Sequence, residues 1–312
     1  MNLKRLLVIF ALAAAIPAGG QTKFVFSPQW MAQAQFAGYY AAKEMGFYKE
    51  EGLDVEIRHP FTTQSLEERV REGDGQAFSM FLSEAMELID KGVPLVNILQ
   101  TSMNNSMAIV SRYGADPIGM RNAKVITWRA GFGQIPMCMA AREHLDYRWV
   151  MASSIVNLFV AGAVDATLVT SYNEYYQLLQ TGLVTPGKGI YRFSEHGYNF
   201  QEDGVYMTAE AYRKYRDSAE SFARASRRGW EWAAEHPEEA LEIVMKYVKE
   251  FRIPTNRVLQ QLMLEEILRL QLDPDSGERE FRLRPDMVRQ AGDLMLEGGI
   301  LKHEVTYEQL MP

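Results

Sequence analysis

Residues 30–57, WMAQAQFAGYYAAKEMGFYKEEGLDVEI, constrain the fold more than any other stretch of this chain. Phe36, Ala37, Tyr40, Ala41 and Met45 recur at a helical period, and Lys43, Glu44, Lys49 and Glu50 are left for solvent, so the spacing predicts one amphipathic helix. Gly46 is placed to stop it and Gly52 to turn the chain, because glycine enters the left-handed region without a Cβ clash. Val55 and Ile57 then alternate with charged residues as a short strand, and residues 23–26 form an apolar strand ahead of the helix. The unit is strand, loop, helix, turn, strand. In a parallel sheet the loop at the carboxyl end of a strand, entering a helix, is where small molecules are held, and here it contains Trp30, Gln33 and Gln35.

The same alternation continues. Residues 66–71 are predicted helical behind Ser65, a cap with Glu68 three residues on. GQAFSMFLSEAMELIDKG reads as a strand running into a helix that ends at Gly92, and PLVNILQT as the next strand. Ser83 and Glu84 stand at that strand-to-helix junction, as ligand contacts or, for the serine, as a helix cap. A strand over 107–111 leads to the turn cluster Asp116, Pro117, Gly119, where the first crossing between lobes is placed.

KVITWRAGFGQIP opens the next lobe with a strand and a glycine-containing loop, followed by a helix over 135–145. Its GFG lacks the further glycine of a dinucleotide fingerprint, but Arg129 and the free amides of the helix start could meet an anionic or carbonyl group, and Phe132 of the same loop is counted among the ligand contacts. After a helix over 154–162 and a strand over 164–170 comes SYNEYYQLLQTG. Tyr172, Asn173 and Glu174 would grip an amino-substituted heteroaromatic ring, the aromatic group stacking on its face and the carboxylate accepting its N–H groups; alternatively, Glu174 is a solvated charge favouring the helix dipole. Tyr198, Glu202 and Asp203 lie near the second crossing, as site residues or as an acidic hinge turn. From Ala209 the chain is helical, Pro237 enters a new helix, and the tail is expected to cover the first lobe.

Several function classes are excluded by composition. Residues 1–20, with Lys4 and Arg5, an apolar run and a small-residue end, read as a secretory leader, too short for a stable membrane span. Its loss changes the formal charge from -7 to -9, and an acidic chain without a basic stretch argues against nucleic acid or anionic membranes as partners. The remaining residues, about 290, suit two lobes, since single cores stop growing near ~250–300 residues. Cys138, alone in the apolar run MCMAA, cannot form an internal disulfide and reads as a buried inert thiol; no cysteine directly follows the leader, so a lipoprotein anchor is not expected, and because an untethered exported protein would diffuse away from a one-membrane cell, the periplasm of a two-membrane bacterium is. His59, His144, His196, His236 and His303 show no metal-ligand spacing, and no nucleophile with a paired base occurs, so catalytic residues, metal and cofactor are all expected to be absent.

QFAGYYAAKEMGFYKEEGLDVEI, with GVPLVNI, GAVDATLVTSYNEYYQLL and HPEEALEIV, resembles the NMT1/THI5-like (SsuA/THI5) group of periplasmic solute-binding proteins. The resemblance implies an α/β, two-lobed type II periplasmic binding protein fold with the ligand cleft between lobes: 21–113 for lobe 1, 114–204 for lobe 2, and 205–312 returning to lobe 1 with C-terminal helices. It implies a monomeric, non-enzymatic substrate-binding component of an ABC importer, with a transporter permease as partner and an amino-heterocyclic or pyrimidine (thiamine-precursor-like) ligand. Tyr39, in the opening motif, joins the expected ligand contacts.

The alternatives are a periplasmic ligand sensor for a receptor kinase, which the QFAGYY form also resembles, and a pyrimidine synthase like the fungal members. Against the synthase, Ser79 and Ser83 stand where those enzymes have a cofactor-binding lysine and a histidine, and YNFQE has no cysteine. Where many bacterial members read Asn-His-x-Gly, this chain has Gln35, Phe36, Ala37 and Gly38.

Overall fold

The computed structural model describes residues 20–60, 64–128 and 131–312; the expected leader up to residue 19 and Arg129 lie outside the described residues. In chain order, β1 (Thr22–Ser27), β2 (Leu53–Ile57), β3 (Ala77–Phe81) and β4 (Leu95–Gln100) precede β5 (Met107–Ser111), β6 (Ala123–Trp128), β7 (Tyr147–Ala152), β8 (Ala166–Thr170) and β9 (Ile190–Arg192), and β10 (Asp203–Thr208) comes last. They form two five-stranded sheets, ordered β2-β1-β3-β10-β4 and β7-β6-β8-β5-β9. Each carries one strand reversed against its parallel neighbours: β10 runs antiparallel to β3 and β4, and β5 antiparallel to β8.

The opening unit forms largely as its periodicity requires. Helix α1 (Ala37–Glu44) follows a short 3-10 turn, Gly46 reverses the chain at φ 80°, and α2 (Phe47–Glu50) and Gly52 (φ 77°) lead into β2, which pairs in parallel with β1. Met45, expected to face inward, is exposed, because the chain leaves the helix there. Ser65 caps α3 (Leu66–Glu72) in a full capping box with Glu68. Behind the first sheet lies α9 (Arg216–Glu235), which crosses α1 closely, and a Cβ on Gly38 would overlap the Trp230 indole while one on Gly229 would overlap the Gly38 carbonyl. Both glycines are therefore required by close approach rather than by backbone angle. Gly38→Ala is expected to cost about 1–3 kcal/mol through overpacking, read as a lowered midpoint in denaturant unfolding; an unchanged midpoint would show that the crossing relaxes freely.

Two expectations about domain organisation are corrected. Strand β5 pairs with β8 (Ile109 opposite Leu168) and with β9, so the chain has crossed to the second sheet before Met107 rather than after Tyr113. The apolar run MAIVS would fit either sheet; its non-local partners decide. The tail does not simply cover lobe 1. Helix α12 (Pro285–Glu297) packs against both α4 (Leu82–Asp90) of the first lobe and α5 (Gln134–Arg142) of the second, placing Leu294 and Met295 in a core shared with Cys138 and Met139. Cys138 is buried with Gly298 directly against it, and burial pushes its thiol up to about 11, as suits an unreactive packing residue.

Candidate functional site

Four loops converge between the lobes, each leaving the carboxyl end of a strand. β1 delivers Gln29, Trp30, Gln33 and Gln35; β3 delivers Phe81 and α4; β6 delivers Trp128 and Phe132; and β8 delivers Tyr172, Asn173 and α7 (Glu174–Gln180). The lobes are in contact here. Phe132 from lobe 2 sits among rings of both lobes, its centroid 5.8 Å from Trp30, 5.1 Å from Phe81 and 5.3 Å from Trp128. On one side lies a cavity of about 20 Å³ lined by Trp30, Gln33, Trp128, Thr170, Tyr172 and Glu174. Tyr172 also walls a second small space with Gln35, Thr101, Glu202 and Asp203. Ser171 Oγ donates across the cleft to Glu266 Oε1 at 2.5 Å, on α11 (Arg257–Leu270), and Gln134 bonds Glu87, so hydrogen bonds among the described residues latch the lobes together.

Carboxyl groups dominate the electrostatics. Asp203 accepts from Gln29 Nε2 and Gln35 Nε2, both at 2.8 Å, and Gln33 donates to Gln35 Oε1 at 2.7 Å. Burial raises Asp203 to about 6. Glu202 Oε2 accepts from Ser106 N at 2.9 Å and its carbonyl from Leu82 N at 2.9 Å, so it ties the returning chain to the first crossing; burial holds it up to about 8. Glu174, first residue of α7, accepts from Thr170 N (3.1 Å), Thr170 Oγ1 (2.7 Å) and Asn173 Nδ2 (3.0 Å), and burial raises it above the ordinary carboxylate range. No lysine, arginine or histidine among the described residues lines either small cavity. Both spaces are bordered by carboxyl and amide groups and by aromatic faces.

The expected site residues separate into groups. Trp30, Gln35, Phe132, Tyr172, Asn173, Glu174 and Glu202 come together at the cleft. Glu84 lies at its mouth, backing onto Gly131 in a groove of about 350 Å³ that shares Trp128 with the inner cavity; burial raises it to about 8. Ser83 is the second residue of α4 rather than its cap, and lines a space with Phe132 and Glu202 near the crossings. Tyr39 belongs to the lobe 1 core, against Phe26, Phe222 and Trp230, because α1 buries Tyr39 and Tyr40 alike. Tyr198 is in lobe 2, its hydroxyl donating to Glu143, although only three residues separate it from Glu202. The sequence reading omits Phe81 and Trp128; each is the last residue of a strand, just ahead of the kind of loop that singles out Trp30 and Tyr172. Gln29 was also missed.

Polar groups from several elements fix the β1 loop. Arg69, fully buried on α3, donates to the Pro28 carbonyl at 2.9 Å and to Ser27, Ser79 Oγ accepts from Gln29 N at 2.9 Å, and Gln260 Oε1 accepts from Ala34 N at 2.7 Å. The loop is thus held before any ligand arrives.

Two mixed sheets joined by two crossings, with strand ends meeting at a cleft, define a type II periplasmic binding protein fold. The structure superposes on the ligand-binding component of an ABC-type import system from Staphylococcus aureus with TM-score 0.71 at 10% identity, covering 94% of this chain and 97% of that one. It superposes on the periplasmic aliphatic sulphonate-binding protein SsuA from Escherichia coli with TM-score 0.66 at 11% identity, covering 94% and 92%. A profile of the NMT1/THI5-like family matches residues 33–240, and the chain belongs to that family. It is 26% identical over 267 residues to the formylaminopyrimidine-binding protein of Halalkalibacterium halodurans, covering 79% of this chain and 77% of that protein. Among the described residues no helix is long and apolar enough to cross a membrane.

Proposed function

We propose that this protein is the periplasmic solute-binding component of an ABC importer and carries a small amino-heterocycle of the pyrimidine class, returned unchanged. The observation that carries this reading is the interlobe space bordered by Trp30, Trp128, Phe132, Tyr172 and Glu174, with a second space behind Tyr172 bordered by Asp203, and no described cation lining either. The rings supply stacking faces and the carboxylates accept N–H groups. The name of the Halalkalibacterium halodurans relative supports the same ligand class. A space of about 20 Å³ holds roughly one water, so a six-membered ring enters only when the lobes part or Phe132 swings aside. Binding is therefore coupled to the separation of the lobes, which a membrane partner can read.

Calorimetric titration with formylaminopyrimidine, 4-aminopyrimidine, an alkanesulfonate and nitrate tests the reading. The aminopyrimidines are expected to bind with Kd of about 10 μM or tighter, and the two anions not to bind measurably, because they would face buried carboxyl groups. Sulfonate binding without aminopyrimidine binding would overturn it, and a covalently altered ligand recovered from the protein would reopen an enzymatic role.

A further inference from the structure

We propose that His59 is the positioning residue of the Trp30 indole, setting the ring's place in the cleft from the opposite side of the loop; this rests on the reading above that Trp30 contacts the ligand. His59 follows β2 and is buried, 5% exposed, in a pocket of aromatic rings: Phe36 at 5.3 Å, Tyr40 at 5.8 Å and Phe251 at 5.0 Å between centroids. Its Nδ1 lies 2.7 Å from the Trp30 carbonyl and its Nε2 2.8 Å from the Tyr40 hydroxyl. A carbonyl can only accept, so Nδ1 carries the proton, and Nε2 accepts from Tyr40. Burial lowers the imidazole to about 4, which keeps it neutral and this tautomer in place.

The chain Tyr40, His59, Trp30 carbonyl starts on α1 and ends in the ligand loop. Tyr40 is itself immobilised by the stacked Tyr247 ring, 4.0 Å away on α10 (Pro237–Glu250). The Trp30 carbonyl is thereby fixed to the lobe 1 core, while its indole reaches Phe132 of the other lobe. Arg69 holds the preceding carbonyl but one, that of Pro28, so the loop backbone is anchored at two carbonyls by separate side chains. A flat ring that stacks loses little entropy on binding only if its backbone is fixed, and an indole free to turn would weaken binding without any ligand contact being removed.

The two nitrogens can be tested separately. An asparagine amide nitrogen stands near the position of Nδ1, whereas a glutamine reaches the position of Nε2. His59→Phe keeps the ring packing and removes both hydrogen bonds. Using formylaminopyrimidine as the probe, His59→Phe is expected to raise Kd roughly tenfold. His59→Asn should recover most of the affinity and His59→Gln little of it. In a Trp30→Ala background the His59→Phe effect should shrink to less than about twofold, since there is no indole left to place. An equal loss in both backgrounds, or equal affinities for the asparagine and glutamine variants, would reduce His59 to a packing residue and overturn the proposal. If Trp30→Ala alone leaves affinity unchanged, the stacking role of Trp30 fails, and this inference fails with it. Circular dichroism of each variant identifies any that does not fold; should His59→Phe be one, the asparagine and glutamine pair still decides the question.

Discussion

Glu174→Gln is expected to weaken binding of formylaminopyrimidine roughly tenfold to a hundredfold and, at the same time, to lower the stability of the ligand-free protein by about 1 kcal/mol. The first effect follows from replacing a charged acceptor by an amide that can present a donor to the ligand's N–H groups. Hydrogen bonds to charged groups contribute about 1.5–3 kcal/mol each in a poorly hydrated site. The second follows from the geometry. Glu174 already accepts from Thr170 N, Thr170 Oγ1 and Asn173 Nδ2, so it closes the turn that carries Tyr172 and Asn173. A glutamine oxygen can replace one carboxylate oxygen toward Thr170, but its Nε2 then meets the Asn173 amide, donor against donor. Titration calorimetry and denaturant melts of both proteins separate the terms. Lowered stability with unchanged affinity would leave Glu174 as a scaffold of the turn and remove it from the ligand grip.

That pairing of effects is not readable from the sequence, which alone sets a ligand contact against a helix-start charge as rival accounts of Glu174. In the structure one side chain serves the turn and borders the cavity together. What sequence could provide was the position of strand ends, because alternation of strand and helix with glycine turns is local. That rule singles out Trp30, Phe132, Tyr172, Asn173 and Glu174, which the structure brings together at the cleft, and it extends to Phe81 and Trp128. Residues judged by sequence proximity fared differently. Tyr39 shares a motif with Gln35 but points into the core against Trp230, and Tyr198 precedes Glu202 by four residues yet bonds Glu143 in lobe 2. Sheet membership was equally hidden: β5 takes its place from β8 and β9, and α12 from α4 and α5, all remote in sequence. The glutamine and aspartate network of Gln29, Gln35 and Asp203 spans more than 160 positions and carried no local signature.

The stability of the ligand-free protein is expected to fall as pH rises from about 5 to 8, opposite to the usual behaviour of paired carboxylates. Burial raises Glu202 from 4.5 to about 8, Glu84 from 4.5 to about 8 and Asp203 from 3.8 to about 6. Between those limits the native protein keeps protons that the unfolded chain has released, and stability declines with pH wherever the native state binds more protons. The contribution is complete below the unfolded values and gone once pH passes about 8. Tenfold in proton affinity corresponds to about 1.4 kcal/mol, so Glu202 alone supplies on the order of 3 kcal/mol across this window. At the acid end the sign reverses: Asp286, hydrogen-bonded by Arg284, is held below the ordinary range, and its share is lost as pH falls through that range. Maximum stability is therefore expected near pH 5, measured by denaturant unfolding at pH 4 to 8, and Glu202→Gln should flatten the slope. Equal stability at pH 5 and pH 8 would mean that the cleft carboxyls are ionised in the folded protein. Ligand N–H groups prefer ionised acceptors, so binding of formylaminopyrimidine at pH 7 should release protons, seen as a dependence of the calorimetric enthalpy on the buffer's own ionisation enthalpy. An enthalpy that does not vary with buffer would show that the ligand is held without these carboxyl groups changing charge.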